Sequence, residues 1–200
     1  MFSIIKRFVD FTLSLLILTG LSIIFLILSL IIKLDSKGPV FFRQKRIGKG
    51  KQEFYILKFR TMKTNAPKEM PTHLLEKPDA YITPIGKFLR KTSLDELPQL
   101  INILKGEMSL IGPRPALWNQ YDLITERDKY KANDVLPGLT GLAQISGRDE
   151  LPIEVKAKID GEYVEKQNPK LDSEIFVKTV FSVLRSDGVK EGTSLSNKNT

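Results

Sequence analysis

The residues of this chain that could do chemistry are carboxylates and cations. In Arg90–Leu100, RKTSLDELPQL, Asp95 and Glu96 stand side by side, with Arg90 and Lys91 just before them. Lys58-Phe59-Arg60 puts two cations on one face of an extended chain, because residues two apart share a side. Gly112-Pro113-Arg114-Pro115 holds an arginine between prolines, and Arg148 closes a Gly-rich segment. Singly, each reads equally well as a turn or a solvated charge. Together with Arg90 they make an anion-binding set suited to a pyrophosphate. A carboxylate at a helix start can attack phosphorus, or bind Mg²⁺, which takes oxygen ligands and substrate phosphates. Taken alone, however, the acidic pair reads more readily as structure. Ser93-x-x-Glu96 is a capping box, and acids suit a first helical turn.

Absences narrow the chemistry. The 200 residues contain no cysteine and one histidine, His73, in a proline-rich loop read over 64–80. Thiolate nucleophiles, cysteine zinc sites and a Ser–His–Asp machine drop out. The chain has no P-loop, no G-x-G-x-x-G and no D-x-D pair for a metal-bound nucleotide sugar. At 42% apolar and 27% charged it can build a core, and its length suits one domain with an appendage.

Two elements must position these residues. Phe11–Ile32 is a run of 22 uncharged residues, roughly 33 Å long as a helix and so matched to a bilayer core. Lys6 and Arg7 precede it; Lys33 and Lys37 follow. Both ends are thus drawn to the cytoplasm, which a re-entrant helix satisfies and a straight span does not. Thr19-Gly20 is the local breaker, and either topology leaves the rest of the chain cytoplasmic. Residues 33–63 carry ten basic residues against Asp35 and Glu53, which accounts for the whole net charge of +8. Such a juxtamembrane cluster faces anionic headgroups or an anionic substrate at the surface, not nucleic acid.

Beyond the membrane run, Pro39–Gln44 and Glu53–Phe59 predict a β-hairpin. Helices are predicted from Thr83-Pro84 to Arg90, and over Leu97–Leu104, Ala116–Tyr130, Pro152–Lys166 and Leu171–Arg185. The last of these has an apolar face for the core or the bilayer. The expected fold is a helix-rich α+β: a small membrane-associated catalytic domain with one N-terminal re-entrant helix and a short hairpin. The expected divisions are 1–33 membrane helix, 34–188 catalytic domain and 189–200 polar tail.

Four segments then carry a resemblance: GPVFFRQKRIG (Gly38–Gly48), LKFRTM (Leu57–Met62), SLDELPQLINILKGEMSLIGPRP (Ser93–Pro115) and PGLTGLAQISGR (Pro137–Arg148). In order and spacing they resemble the bacterial sugar transferases, monotopic polyprenyl-phosphate phosphoglycosyl transferases of capsule, exopolysaccharide and glycan synthesis. The resemblance implies a ping-pong reaction at the cytoplasmic face of the cell membrane, in which Asp95 attacks a UDP-sugar, releases UMP and passes the phosphosugar to polyprenyl (undecaprenyl) phosphate. It implies Glu96 as the Mg²⁺ ligand, Lys58, Arg90, Arg114 and Arg148 around phosphates, and downstream glycosyltransferases as possible partners. Thr19-Gly20 stands where the family usually breaks its membrane helix with Ser-Pro, and Leu136 where it usually has an arginine. GPRPALWNQYDLI and GRDELP lean toward an N-acetylated amino-sugar donor. The rival readings are a glycosyltransferase releasing UDP and a basic membrane adaptor without activity.

Overall fold

The structure, a computed structural model, describes residues 2–67, 78–147 and 151–185. His73, Arg148 and the 189–200 tail lie outside the described residues, as does part of the 64–80 loop.

The apolar run forms two helices in place of one, α1 (Phe2–Gly20) and α2 (Ser22–Asp35), bent by 64°. Neither is long and apolar enough to cross a bilayer alone. The bend falls at Leu21, directly after the expected breaker. Thr19 Oγ1 donates to Leu15 O at 2.9 Å and Leu16 O at 3.0 Å, back-bonding that competes with the helix ladder and bends it. Phe8, Leu26 and Leu34 are 70%, 71% and 77% exposed, as expected of side chains that meet lipid.

The hairpin pairs β1 (Phe41–Ile47) with β2 (Glu53–Phe59), in register from Phe41 opposite Phe59 to Ile47 opposite Glu53. β2 falls where the sequence puts it; β1 begins two residues later and runs to Ile47. The open edge of β2 is closed by a side chain. Asn102 Oδ1 accepts from Leu57 N at 3.0 Å, and its Nδ2 donates to Tyr55 O at 2.8 Å.

Helix α3 (Pro84–Lys91) starts as predicted, with Thr83 Oγ1 accepting from Gly86 N. A 3₁₀ turn over Leu94–Glu96 leads into α4 (Gln99–Lys105), which ends on left-handed Gly106. A short parallel pair follows, β3 (Ser109–Ile111) with β4 (Gly138–Thr140), which the sequence reading did not include. The predicted helix over Ala116–Tyr130 shrinks to α5 (Tyr121–Asp128). Its first residues are diverted to β1: Ile47 N donates to Ala116 O, and Leu117 bridges Arg46. Helices α6 (Leu142–Ser146), α7 (Ile153–Lys166) and α8 (Pro169–Leu184) complete the described chain.

Of the three apolar clusters among the described residues, two tie the bent helix pair to these parts. One joins Phe54 and Ile56 of β2, Leu100 and Ile103 of α4, β3, Tyr163 and Ile175, with Ile17 and Leu18 of α1 against it. The other packs Leu28 and Ile32 of α2 on Phe59 and Leu89. Polar contacts add to them. Lys6 pairs with Asp172 at 2.6 Å, Arg7 donates to the α4 carbonyls of Ile103 and Leu104, and Asp10 accepts from Ser109 and Leu110 N. Both ends of the bent pair are therefore fixed to the same body.

Candidate active site

The acidic pair sits in the 3₁₀ turn between α3 and α4. Ser93, at φ 56°, takes the left-handed conformation to aim the turn, and its side chain makes no capping bond. The capping-box reading therefore fails here. Glu96 turns instead to two cations, with Lys58 Nζ 2.6 Å and Arg114 Nη2 3.0 Å from the same oxygen, Oε1.

Each cation arrives from a different element. Lys58 comes from β2, next to the Asn102-sealed edge. Arg114 comes from the loop after β3, where glycines let two strands approach. A Cβ on Gly138 or Gly141 would collide with the backbone of Gly112. Arg90, in the last turn of α3, donates through Nε to Thr61 Oγ1 at 2.9 Å and lies close enough to Asp95 to act on its charge. Thr61 is a member of this site that the sequence reading missed, although it stands within LKFRTM.

The two carboxyls are pushed apart. Asp95 is 9% exposed, and burial raises its pKa to about 6, helped by the neighbouring Glu96 charge and opposed by Lys58, Arg90 and Arg114. Burial also works against ionised Glu96, but Arg114 and Lys58 outweigh it and hold that carboxyl well below its usual range. The pair has one acid poised near neutral pH and one permanently charged, a division typical of catalytic carboxylates.

Asp95, Glu96, Lys58, Arg90 and Arg114 thus converge. Arg60 does not. It is 4% exposed and its guanidinium faces the exit of α2, donating to carbonyls of Ile32, Ser36 and Lys37. The shared strand face with Lys58 ends at Phe59, the last residue of β2, so the expected phosphate role of Arg60 is withdrawn.

For a divalent cation, no group of three or more His, Asp or Glu residues forms a cage among the described residues. Both ion-pair contacts of Glu96 fall on Oε1, so Oε2 and the adjacent Asp95 carboxylate are the oxygens presented. That donor set fits Mg²⁺, which keeps most of its shell for water and substrate phosphates and takes one or two carboxylates.

Comparison with known proteins follows the same lines. A family profile described as bacterial sugar transferase matches residues 1–186. The sugar transferase EpsL of Bacillus subtilis (strain 168) is 40% identical over 189 residues, covering 94% of this chain and 91% of that protein. The UDP-glucose:undecaprenyl-phosphate glucose-1-phosphate transferase of Escherichia coli (strain K12) is 40% identical over 186 residues, 89% of this chain and 40% of the longer relative. An Aeromonas hydrophila enzyme, UDP-N-acetylgalactosamine-undecaprenyl-phosphate N-acetylgalactosaminephosphotransferase, is 35% identical over 195 residues, covering 94% and 46%.

Proposed function

The chain belongs to the bacterial sugar transferase family, and on that premise we propose that it moves a sugar 1-phosphate from a UDP-sugar to polyprenyl phosphate through an aspartyl intermediate on Asp95. The observation that carries the reading is the division of labour between the two carboxyls. Asp95 is desolvated, with its pKa raised to about 6, so at neutral pH it is mostly ionised yet poorly stabilised. That combination makes a carboxylate a stronger nucleophile. Glu96, gripped by Lys58 and Arg114, is the weaker one.

In the first step an Asp95 oxygen bonds to the sugar-bearing phosphorus, and the bond from that phosphorus to the bridging oxygen breaks. The electron pair leaves with UMP. Lys58, Arg90 and Arg114 balance charge on the phosphate oxygens as it redistributes. In the second step a phosphate oxygen of the lipid acceptor bonds to the same phosphorus, and the Asp95 carboxylate leaves. Mg²⁺, held by Glu96 with Asp95 beside it, would supply further charge neutralisation at the diphosphate when bound.

We place this chemistry at the cytoplasmic face, on a helix pair that enters the bilayer and returns. Support comes from the anchoring: α1 through Lys6, Arg7 and Asp10, and α2 through Arg60, hold to one folded body. A 64° bend between two basic flanks accommodates this; a straight span does not. The product would feed glycosyltransferases of exopolysaccharide or capsule synthesis. The donor is a glucose-type or N-acetylated amino sugar, with the lean of the sequence toward the latter.

The test is incubation with Mg²⁺, polyprenyl phosphate and a panel of UDP-sugars. UMP release is the expected result, and the panel names the donor. UDP release would instead indicate a simple glycosyltransferase, and silence on every sugar a membrane adaptor.

A further inference from the structure

We infer that Arg60 is a positioning residue that sets the depth of the active site relative to the bilayer, and so governs transfer to the lipid acceptor but not formation of the adduct. The inference rests on the two-step reading above.

Arg60 donates through Nη2 to Ile32 O at 3.0 Å, Ser36 O at 2.6 Å and Ser36 Oγ at 3.0 Å, and through Nη1 to Lys37 O at 3.0 Å. These acceptors are the last groups of α2 and its exit, the end of the helix dipole that favours a cation. Gly38, at φ +131°, makes room: a Cβ there would collide with Arg60 Nη1. On its other side the same short segment reaches the catalytic cations. Thr61 Oγ1 holds Arg90, and Lys58, two residues before Arg60, holds Glu96.

Thr61, which holds Arg90, is fixed independently of Arg60 because its carbonyl accepts from Thr83 N at 3.0 Å, and Lys58 does not depend on Arg60 for its place either. It is fixed by its register opposite Phe42 and by Glu96. The cradle for the donor, which arrives from water, should survive loss of the clamp. The acceptor differs, because its phosphate is confined to headgroup level. An error in depth therefore falls on the second step alone, where the lipid phosphate oxygen bonds to phosphorus as the Asp95–phosphorus ester bond breaks. Misplacement by about 1 Å can slow such a step by roughly a hundredfold.

The experiment uses the full chain in nanodiscs, as wild type, Arg60→Gln and Gly38→Ala. UMP release without acceptor reads the first step; chase of the labelled adduct with polyprenyl phosphate reads the second. For both variants we expect UMP release within about twofold of wild type and a chase slowed about tenfold or more. In detergent micelles, which lack a bilayer plane, the chase deficit should shrink to about threefold, a change that a merely structural role would not produce. Should Arg60→Gln fail to fold, Gly38→Ala carries the test. Parallel loss of both steps, or an unchanged chase, overturns the inference. Absence of UMP release and adduct in the wild type itself would instead overturn the aspartyl reading on which it rests.

Discussion

Replacing Asp95 with asparagine should abolish turnover and make the protein more stable. Burial raises the pKa of this carboxyl from 3.8 to about 6 in the folded state. The sign follows from that direction. The folded state favours the protonated acid, so below pH 3.8 there is no penalty; the penalty grows through the interval and is complete above pH 6. A shift of that size corresponds to about 3 kcal/mol at pH 7.5 and about 1 kcal/mol at pH 4.5. Asparagine never ionises and so never incurs it. For a domain of this size, about 3 kcal/mol is a rise of roughly 6–12 °C in Tm. Thermal unfolding followed by fluorescence of Trp118, the one tryptophan, reads this directly. An Asp95→Asn protein no more stable than wild type at pH 7.5, or equally stabilised at both pH values, would refute the desolvated nucleophile.

Three further predictions follow from the same geometry. UMP release in a single turnover should fall about tenfold between pH 7 and pH 5 as Asp95 protonates, and a flat profile would mean an ordinary carboxylate. Burial raises the Asp160 pKa too, but Asp160→Asn, unlike Asp95→Asn, leaves a buried guanidinium without its counter-charge. Arg127 lies 2.6 Å away in a pair with 4% and 1% of the side chains exposed, and the change should cost about 3–5 kcal/mol in a denaturation curve. A loss under about 1 kcal/mol would show that the pair is dispensable. Ser3→Cys, in a chain otherwise free of cysteine, should resist a membrane-impermeant maleimide in intact cells and react in inverted vesicles. Labelling from outside would show a true span.

Much of the site was legible because its members belong to contiguous motifs of the right residue types. Asp95, Glu96, Lys58, Arg90 and Arg114 could be chosen before any contact was known. The capping box at Ser93 was equally legible and misleading, since two cations outcompete a backbone N–H for Glu96. The place of Arg60 is hidden for a different reason: its partners are backbone carbonyls, which have no signature in a sequence. The β3–β4 pair was missed because three-residue strands are too short to show a period of two. The overlong helix at Ala116 came from apolar spacing that suits a helix equally well, while the actual partner was an edge of β1 seventy residues earlier. Thr19-Gly20 marks the break in the membrane run to within a residue of Leu21, but its 64° angle depends on what each half packs against.

The most direct test of the central claim is mass spectrometry of the wild-type protein incubated with Mg²⁺ and its UDP-sugar in the absence of lipid acceptor. The account predicts a mass gain of one sugar phosphate, mapped to Asp95 and discharged on adding polyprenyl phosphate. Full turnover with no such adduct, or an adduct mapped to another residue, would contradict it.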